Sequence, residues 1–353
     1  MALAEQPVLD SDKLQAFVNK AVGDWGSLTS ATLLVIGDEL NLYGALTDDG
    51  PATPTELAQR TGTAEPYVHP WLVNQAAGGY LDFDATTGRY SLPPEHAAAL
   101  GALSGRYQML ISAMRAEPRI TEAFRTGQGM HWGEHDTGLF SGVERFFRPS
   151  YEQFLVQEWI PALEGVQAKL ERGALVADVG CGHGASTIIL ARAYPNSTFL
   201  GFDNHAPSIE RARRAAAEAG IADRLSFEVA PSSDFPSPLS GYDLVAFFDC
   251  LHDMGDPTAA LRRATQTLAP GGTVMLVEPM AGETDAENHN PVGRVYSGAS
   301  VLICTPHAIA ESGHALGTIA SDATLRGVAA AAGLSHFRRA TATPFNRIFE
   351  ARV

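Results

Sequence analysis

Residues 175–203 read LVADVGCGHGASTIILARAYPNSTFLGFD, and this stretch decides the fold. Leu175 to Val179 is short, apolar and β-branched, as a strand buried on both faces of a parallel sheet requires. It breaks into Gly180, Gly182 and Gly184, and Ala185–Tyr194 then has helical character. A second apolar run, Thr198–Phe202, ends on Asp203. Strand, glycine turn, helix and a strand ending in an acid form a nucleotide-binding βαβ unit. The glycines let the backbone approach a ligand closely, and the helix N-terminus offers unpaired N–H groups. A carboxylate where the second strand ends is placed to accept hydrogen bonds from both hydroxyls of a ribose.

The glycine spacing narrows the ligand. It is Asp178-x-Gly180-x-Gly182-x-Gly184, not the G-x-G-x-x-G of dinucleotide enzymes. This pattern resembles the first motif of the class I S-adenosylmethionine-dependent methyltransferases, whose turn wraps the amino-acid end of the cofactor. The resemblance implies a Rossmann-like seven-stranded α/β sheet with S-adenosylmethionine as cofactor. It assigns Asp178, Gly180, Gly182, Gly184, Asp203 and the adjoining Asn204 to cofactor binding.

Composition bounds the rest. The chain has 353 residues, 45% hydrophobic and 18% charged, as befits a globular protein with more than one core. No apolar run reaches transmembrane length, and MALAEQPVLDSDKL lacks the basic start of a signal peptide. Cys181, Cys250 and Cys304 are widely spaced, with neither a disulfide framework nor a zinc spacing. These features predict a cytoplasmic protein without a membrane partner or a metal. A net charge of −15 argues against a polyanionic partner.

Residues 1–105 form the first predicted domain. Helices are expected over Asp12–Val22 and Leu28–Leu46. Pro54–Gly62 is a short capped helix, Ala64–Ala77 a second, and Leu81–Phe83 with Arg89–Leu92 a two-stranded wing. Helix, turn, helix and wing make a mainly helical winged-helix domain. Its charges oppose DNA: four basic side chains (Lys13, Lys20, Arg60, Arg89) stand against thirteen acidic ones, a net of −9. The would-be recognition helix has no Lys or Arg and carries Pro70. Such a face repels a duplex that bears about one negative charge per 1.7 Å. The domain is therefore read as a homodimerisation module, with the Leu-rich first helices as its contact surface.

Residues 106–170 are read as a helical linker that contributes to a substrate pocket, and 171–353 as the cofactor domain. The irregular segment Gly127–Gly142 places His131, Trp132 and His135 as pocket candidates. Gly133 and Gly138 break the rigid helix that a metal-binding His pair would need. Phe146, Phe147, Tyr151, Phe154 and Trp159 follow at helical spacing. In similar enzymes a tyrosine here reaches the cofactor carboxylate, which singles out Tyr151. Beyond Asp203, strands are expected at Arg224–Val229, Tyr242–Phe248 and Thr273–Glu278, with an antiparallel pair at His336–Thr341 and Phe345–Arg352. Similar methyltransferases place an Asp after the third strand for the adenine amino group. Here Pro231 intervenes, which leaves Ser232 or Asp234 for that role and Phe235 for the adenine face. Gly180, Asp203, Ser232, Asp249–Asp253 and Glu278 all fall at strand C-termini, where open α/β sheets bind ligands.

The segment Leu251-His252-Asp253-Met254-Gly255-Asp256-Pro257 resembles the LHDWSD segment of small-molecule O-methyltransferases with winged-helix dimerisation domains, whose His is the general base. The resemblance makes His252 the base, against the alternative of a histidine that orders its loop. Asp253, next to it, is the candidate to orient it, as carboxylates commonly do. His307, Glu311 and His314 of the C-terminal insert are candidates to face the acceptor, with a solvated helix face as the alternative. The expected function is methyl transfer to a small, aromatic or natural-product acceptor. Two other readings share these features: a cofactor-binding transcriptional regulator, and a methyltransferase fold that uses the sulfonium for non-methylating chemistry.

Overall fold

A computed structural model describes residues 9–353 apart from Ser312, and only the backbone of Ala102. Most of the leader considered above, residues 1–8, lies outside the described residues. The chain divides into two compact units, Met1–Ile111 and Ser112–Val353.

In the first unit one helix runs unbroken from Ser11 to Glu39, where two were expected. Gly23 and Gly26, between the two expected helices, are accommodated within it, and a Cβ at either would meet nothing within 4 Å. The break comes at Asn41, whose backbone is left-handed at φ 55°. Pro54–Thr61 follows with a capping box between Thr53 and Glu56 and a stop at Gly62. Then come the helix Glu65–Ala77 and the wing, β1 (Asp82–Asp84) and β2 (Arg89–Ser91), which pair antiparallel. Trp71, Leu72, Leu57, Leu46 and Leu81 form the buried core. Gly37 admits the Trp71 ring, since a Cβ there would come within 2.5 Å of Trp71 Cζ2. The Trp71 indole N–H donates to the Leu33 carbonyl at 2.8 Å.

The second unit is built on seven strands: β3 (Leu175–Val179), β4 (Thr198–Asp203), β5 (Leu225–Val229), β6 (Tyr242–Phe248), β7 (Leu268–Pro279), β8 (His336–Ala342) and β9 (Asn346–Arg352). Their order is β5-β4-β3-β6-β7-β9-β8, with β9 antiparallel to both neighbours. Side chains alternate across the sheet. Val176, Leu244 and Met275 enter the core on one face, and Ala177, Val245 and Val274 the core on the other. Burial on both faces is why these strands read as continuous apolar runs. The order reverses at β3, which pairs with β4 on one side and β6 on the other. At such a switch point the loops leaving neighbouring strands diverge and open a crevice.

Candidate active site

That crevice is a cleft lined by the glycine turn, the ends of β4 and β6, and the helical segments that precede β3. Its floor is the glycine turn. The N–H groups of Gly180 and Cys181 both donate to the Phe202 carbonyl, at 2.8 and 3.0 Å, which pins the turn to β4. All three glycines are left-handed, but they do different work. A Cβ on Gly180 would press on Cys250 Sγ at 2.7 Å, and one on Gly184 on Phe227 Cζ at 2.5 Å. Gly182 lines the cleft, and a Cβ on it would meet nothing within 4 Å.

Asp203 closes the turn. Its Oδ2 accepts from Gly182 N at 2.9 Å and its Oδ1 from His205 N at 2.8 Å. Burial pushes this carboxyl upward, and the two backbone donors partly offset that. Each oxygen keeps a further lone pair for a ligand hydroxyl. Across the cleft, Asp249 is left-handed at φ 51° and buried. It accepts from the Tyr151 hydroxyl at 3.1 Å and from Asn346 Nδ2 at 2.6 Å, so three distant segments meet on one carboxylate.

The wall comes from the helix Thr137–Ser150 and the π-helical turn that begins at Tyr151. Phe140, Val143, Glu144, Phe147 and Tyr151 line the cleft at helical spacing. Glu144 bonds His183 Nδ1 at 2.8 Å and pairs with Arg148. Burial alone would raise the Glu144 carboxyl; these two partners outweigh it and hold the pKa at about 2. On the far side Trp132 lies 6.0 Å from the His307 ring and 5.7 Å from Phe140. His307 Nδ1 accepts the Trp132 N–H at 3.2 Å, and Glu311 is anchored by Asn204 Nδ2 at 2.7 Å.

Of the residues selected from sequence, Tyr151, Gly180, Gly182, Asp203, Asn204, Ser232, Asp249, Asp253, Trp132, His307 and Glu311 line this cleft. The others sit elsewhere. Asp178 is fully buried and accepts from the hydroxyls of Ser186 and Thr187, tying β3 to the helix that follows; burial raises its pKa to about 6. Gly184 serves helix packing against Phe227. Phe235 is completely buried in the core, 5.3 Å from Phe202, because an apolar ring gains more there than on a wet adenine face. Asp234, in the preceding turn, points to solvent with its side chain 82% exposed. His131 is exposed and caps the turn Trp132–Glu134. His135 is buried with neither ring nitrogen partnered among the described residues, and burial, followed by the charge of His307, lowers its pKa to about 4.

His252 also departs from expectation. It is 3% exposed and does not line the cleft. Its orienting carboxylate is Glu278 at the end of β7, whose Oε2 lies 2.9 Å from Nδ1, and not Asp253. Burial opposes charge on this imidazole, but Glu278 and the neighbouring Cys304 together raise its pKa well above the usual value. Asp253 faces the cleft instead, and burial lifts its carboxyl to about 6 against the pull of His252 and His307. Glu144, Phe140 and His183 escaped the reading of the sequence. The five-residue stripe ending at Tyr151 carried the signal for the first two, and His183 stands inside the glycine motif itself.

A sheet of this order with a glycine turn after β3 and an acid closing β4 defines a methyltransferase-type nucleotide fold. Residues 170–322 match the family described as a methyltransferase domain, and residues 29–102 match the Rv2258c-like winged HTH domain. The two matches follow one another along the chain, the winged HTH match first and the methyltransferase-domain match second. It is 35% identical over 132 residues to 27-O-demethylrifamycin SV methyltransferase of Amycolatopsis mediterranei (strain S699), covering 35% of this chain and 48% of that protein. The match to mitomycin biosynthesis 6-O-methyltransferase of Streptomyces lavendulae is 26% over 263 residues, 68% of this chain and 72% of that one. The chain thus spans about half the length of the rifamycin relative. Among solved structures, mitomycin 7-O-methyltransferase MmcR superposes with a TM-score of 0.69 at 18% identity, over 97% of this chain and 100% of that one. CalO1, a methyltransferase in calicheamicin biosynthesis, gives 0.68 at 18%, over 98% and 100%. At these identities the likeness is one of fold. No helix among the described residues is long and apolar enough to cross a membrane.

Proposed function

We propose that this chain transfers the methyl group of S-adenosylmethionine to a hydroxyl of a small aromatic natural product. The observation that carries the proposal is the two-part cleft. One half has the glycine turn, Asp203 and the Tyr151–Asp249 pair, suited to a sulfonium nucleoside; the other has Trp132, Phe140 and His307, suited to a planar ring. The nucleoside ribose bonds Asp203, and Ser232 lies on the adenine side. In the transfer the acceptor oxygen forms a bond to the methyl carbon as the carbon–sulfur bond breaks, leaving a neutral sulfide. The hydroxyl proton passes to Asp253, the acid that meets the cleft, backed by His252 on Glu278. A carboxyl with a pKa of about 6 is poised to take a proton near neutrality. The relatives named for O-methylation of rifamycin and mitomycin precursors support a hydroxyl acceptor.

The test is conversion of S-adenosylmethionine to S-adenosylhomocysteine with a panel of hydroxylated naphthoates and quinones. Asp253→Asn is expected to lower kcat at least a hundredfold with little change in cofactor affinity. Turnover at the wild-type rate in that variant removes Asp253 from the proton route. The proposal includes a homodimer. Leu14, Phe17, Val18, Val22, Trp25 and Leu28 are 43–68% exposed and recur at helical spacing along Ser11–Glu39, an apolar stripe suited to a second copy. The acidic winged helix makes no DNA complex in this reading, which a mobility shift at low salt checks.

A further inference from the structure

We propose that His252, Asp253 and Cys304 form a binding site for one soft divalent cation of the zinc class beside the acceptor half of the cleft. One ligand atom from each residue lies within 4.8 Å of the other two. Around tetrahedral zinc, nitrogen, oxygen and sulfur ligands stand roughly 3.3–3.8 Å apart. The longest separation therefore has to shorten by about 1–1.5 Å on binding. Glu278 engages His252 at Nδ1, which leaves Nε2 as the ligating atom, and a carboxylate behind a histidine is the usual outer partner of such a ligand.

Charge favours the same occupant. Glu278 is close enough to Asp249 and to Asp253 to repel each of them. Glu278 is 1% exposed, and its Oε1 has no hydrogen-bond partner among the described residues. A dication relieves this surplus as a single imidazole does not. A thiolate and an imidazole select zinc over magnesium or calcium. Cys304 and His252 are buried, whereas Asp253 lines the cleft, so the site has dry walls and one open side for entry and a fourth ligand. Coordination releases the Cys304 thiol proton and the His252 Nε2 proton to solvent. Spacing rules do not see this cluster, because Cys304 comes from a π-helical turn, Ser300–Cys304, some fifty residues after His252. A bound cation occupies the side chains of the proton route and stops methyl transfer. That consequence rests on the function proposed above; the site itself does not.

Zinc is titrated by calorimetry into the reduced, chelator-stripped full chain with neither S-adenosylmethionine nor acceptor present, so the outcome is independent of methyl transfer. One cation per chain is expected, and cobalt in its place should show thiolate-to-cobalt charge-transfer absorption. Cys304→Ser should abolish that absorption and weaken zinc at least tenfold. Asp253→Asn should weaken zinc by a similar factor while keeping the absorption, with circular dichroism confirming that each variant is folded. Zinc binding undetectable at micromolar concentrations, or unchanged in either variant, overturns the proposal.

Discussion

Two glycines of one motif should fail in opposite ways when each is given a single methyl group. At Gly184 the backbone is held at φ +78°, and the added Cβ would lie 2.5 and 2.8 Å from Phe227 Cζ and Cε1. Left-handed strain costs about 1–2 kcal/mol and overpacking a core about 1–3 kcal/mol more. Gly184→Ala should therefore lose about 2–5 kcal/mol of stability. At Gly182, φ is +52° and the Cβ meets no atom within 4 Å, so only the strain of about 1–2 kcal/mol remains. Gly182 instead lines the cleft proposed to hold the cofactor. Gly182→Ala should therefore weaken S-adenosylhomocysteine at least tenfold in calorimetry, while its urea transition moves less than that of Gly184→Ala. The double variant Gly184→Ala/Phe227→Leu should recover part of the lost stability, since the shorter side chain yields the space. Equal destabilisation by the two single substitutions, or unchanged ligand affinity in Gly182→Ala, refutes the division of labour.

Other perturbations follow from the same geometry. Asp203→Asn puts an amide donor opposite a backbone donor, Gly182 N or His205 N. One unmet donor costs about 1–3 kcal/mol, so S-adenosylhomocysteine should bind ten- to a hundredfold more weakly by calorimetry. The Glu144 carboxyl is held at about 2, below its ordinary 4.5, so it adds stability above about pH 4.5 that is lost as the pH falls toward 2. The stability difference between wild type and Glu144→Gln should be on the order of 3 kcal/mol near neutrality and shrink steadily in acid, as read by denaturation at several pH values. His135→Leu removes a buried imidazole whose nitrogens have no hydrogen-bond partner among the described residues, so its melting temperature should stay level or rise. Phe17→Glu with Trp25→Glu should shift the mass seen by light scattering from dimer to monomer.

The βαβ core was legible because its signals are local. Leu175–Asp203 announces itself by composition and punctuation, and parallel strands buried on both faces leave uniform apolar runs. The winged helix was legible for a similar reason, with Thr53, Glu56 and Gly62 marking the ends of one short helix. What escaped depends on which way a side chain turns. Phe202 and Tyr242 draw Phe235 into the core, though its neighbour Ser232 reaches the cleft. His252 and Asp253 are adjacent in the chain, yet the three-residue turn Leu251–Asp253 sends the histidine inward to Glu278 and the aspartate outward. No spacing rule reports that Glu278, 26 residues later, is the histidine's partner. Apolar spacing alone gives two helices over Asp12–Val22 and Leu28–Leu46, because the link between them, residues 23–27, carries two glycines and little apolar periodicity; the chain is helical through it all the same.

The position of β9 has a temporal corollary. This strand is wedged between β7 and β8, and its first residue, Asn346, is the one that steadies Asp249 from 97 positions away. A ribosome releases Asn346 only after every other contributor to the crevice has emerged. The sheet cannot close, nor Asp249 acquire its second tether, until synthesis has passed Asn346. A nascent chain halted before Asn346 would present a half-built crevice beside an open slot in the sheet.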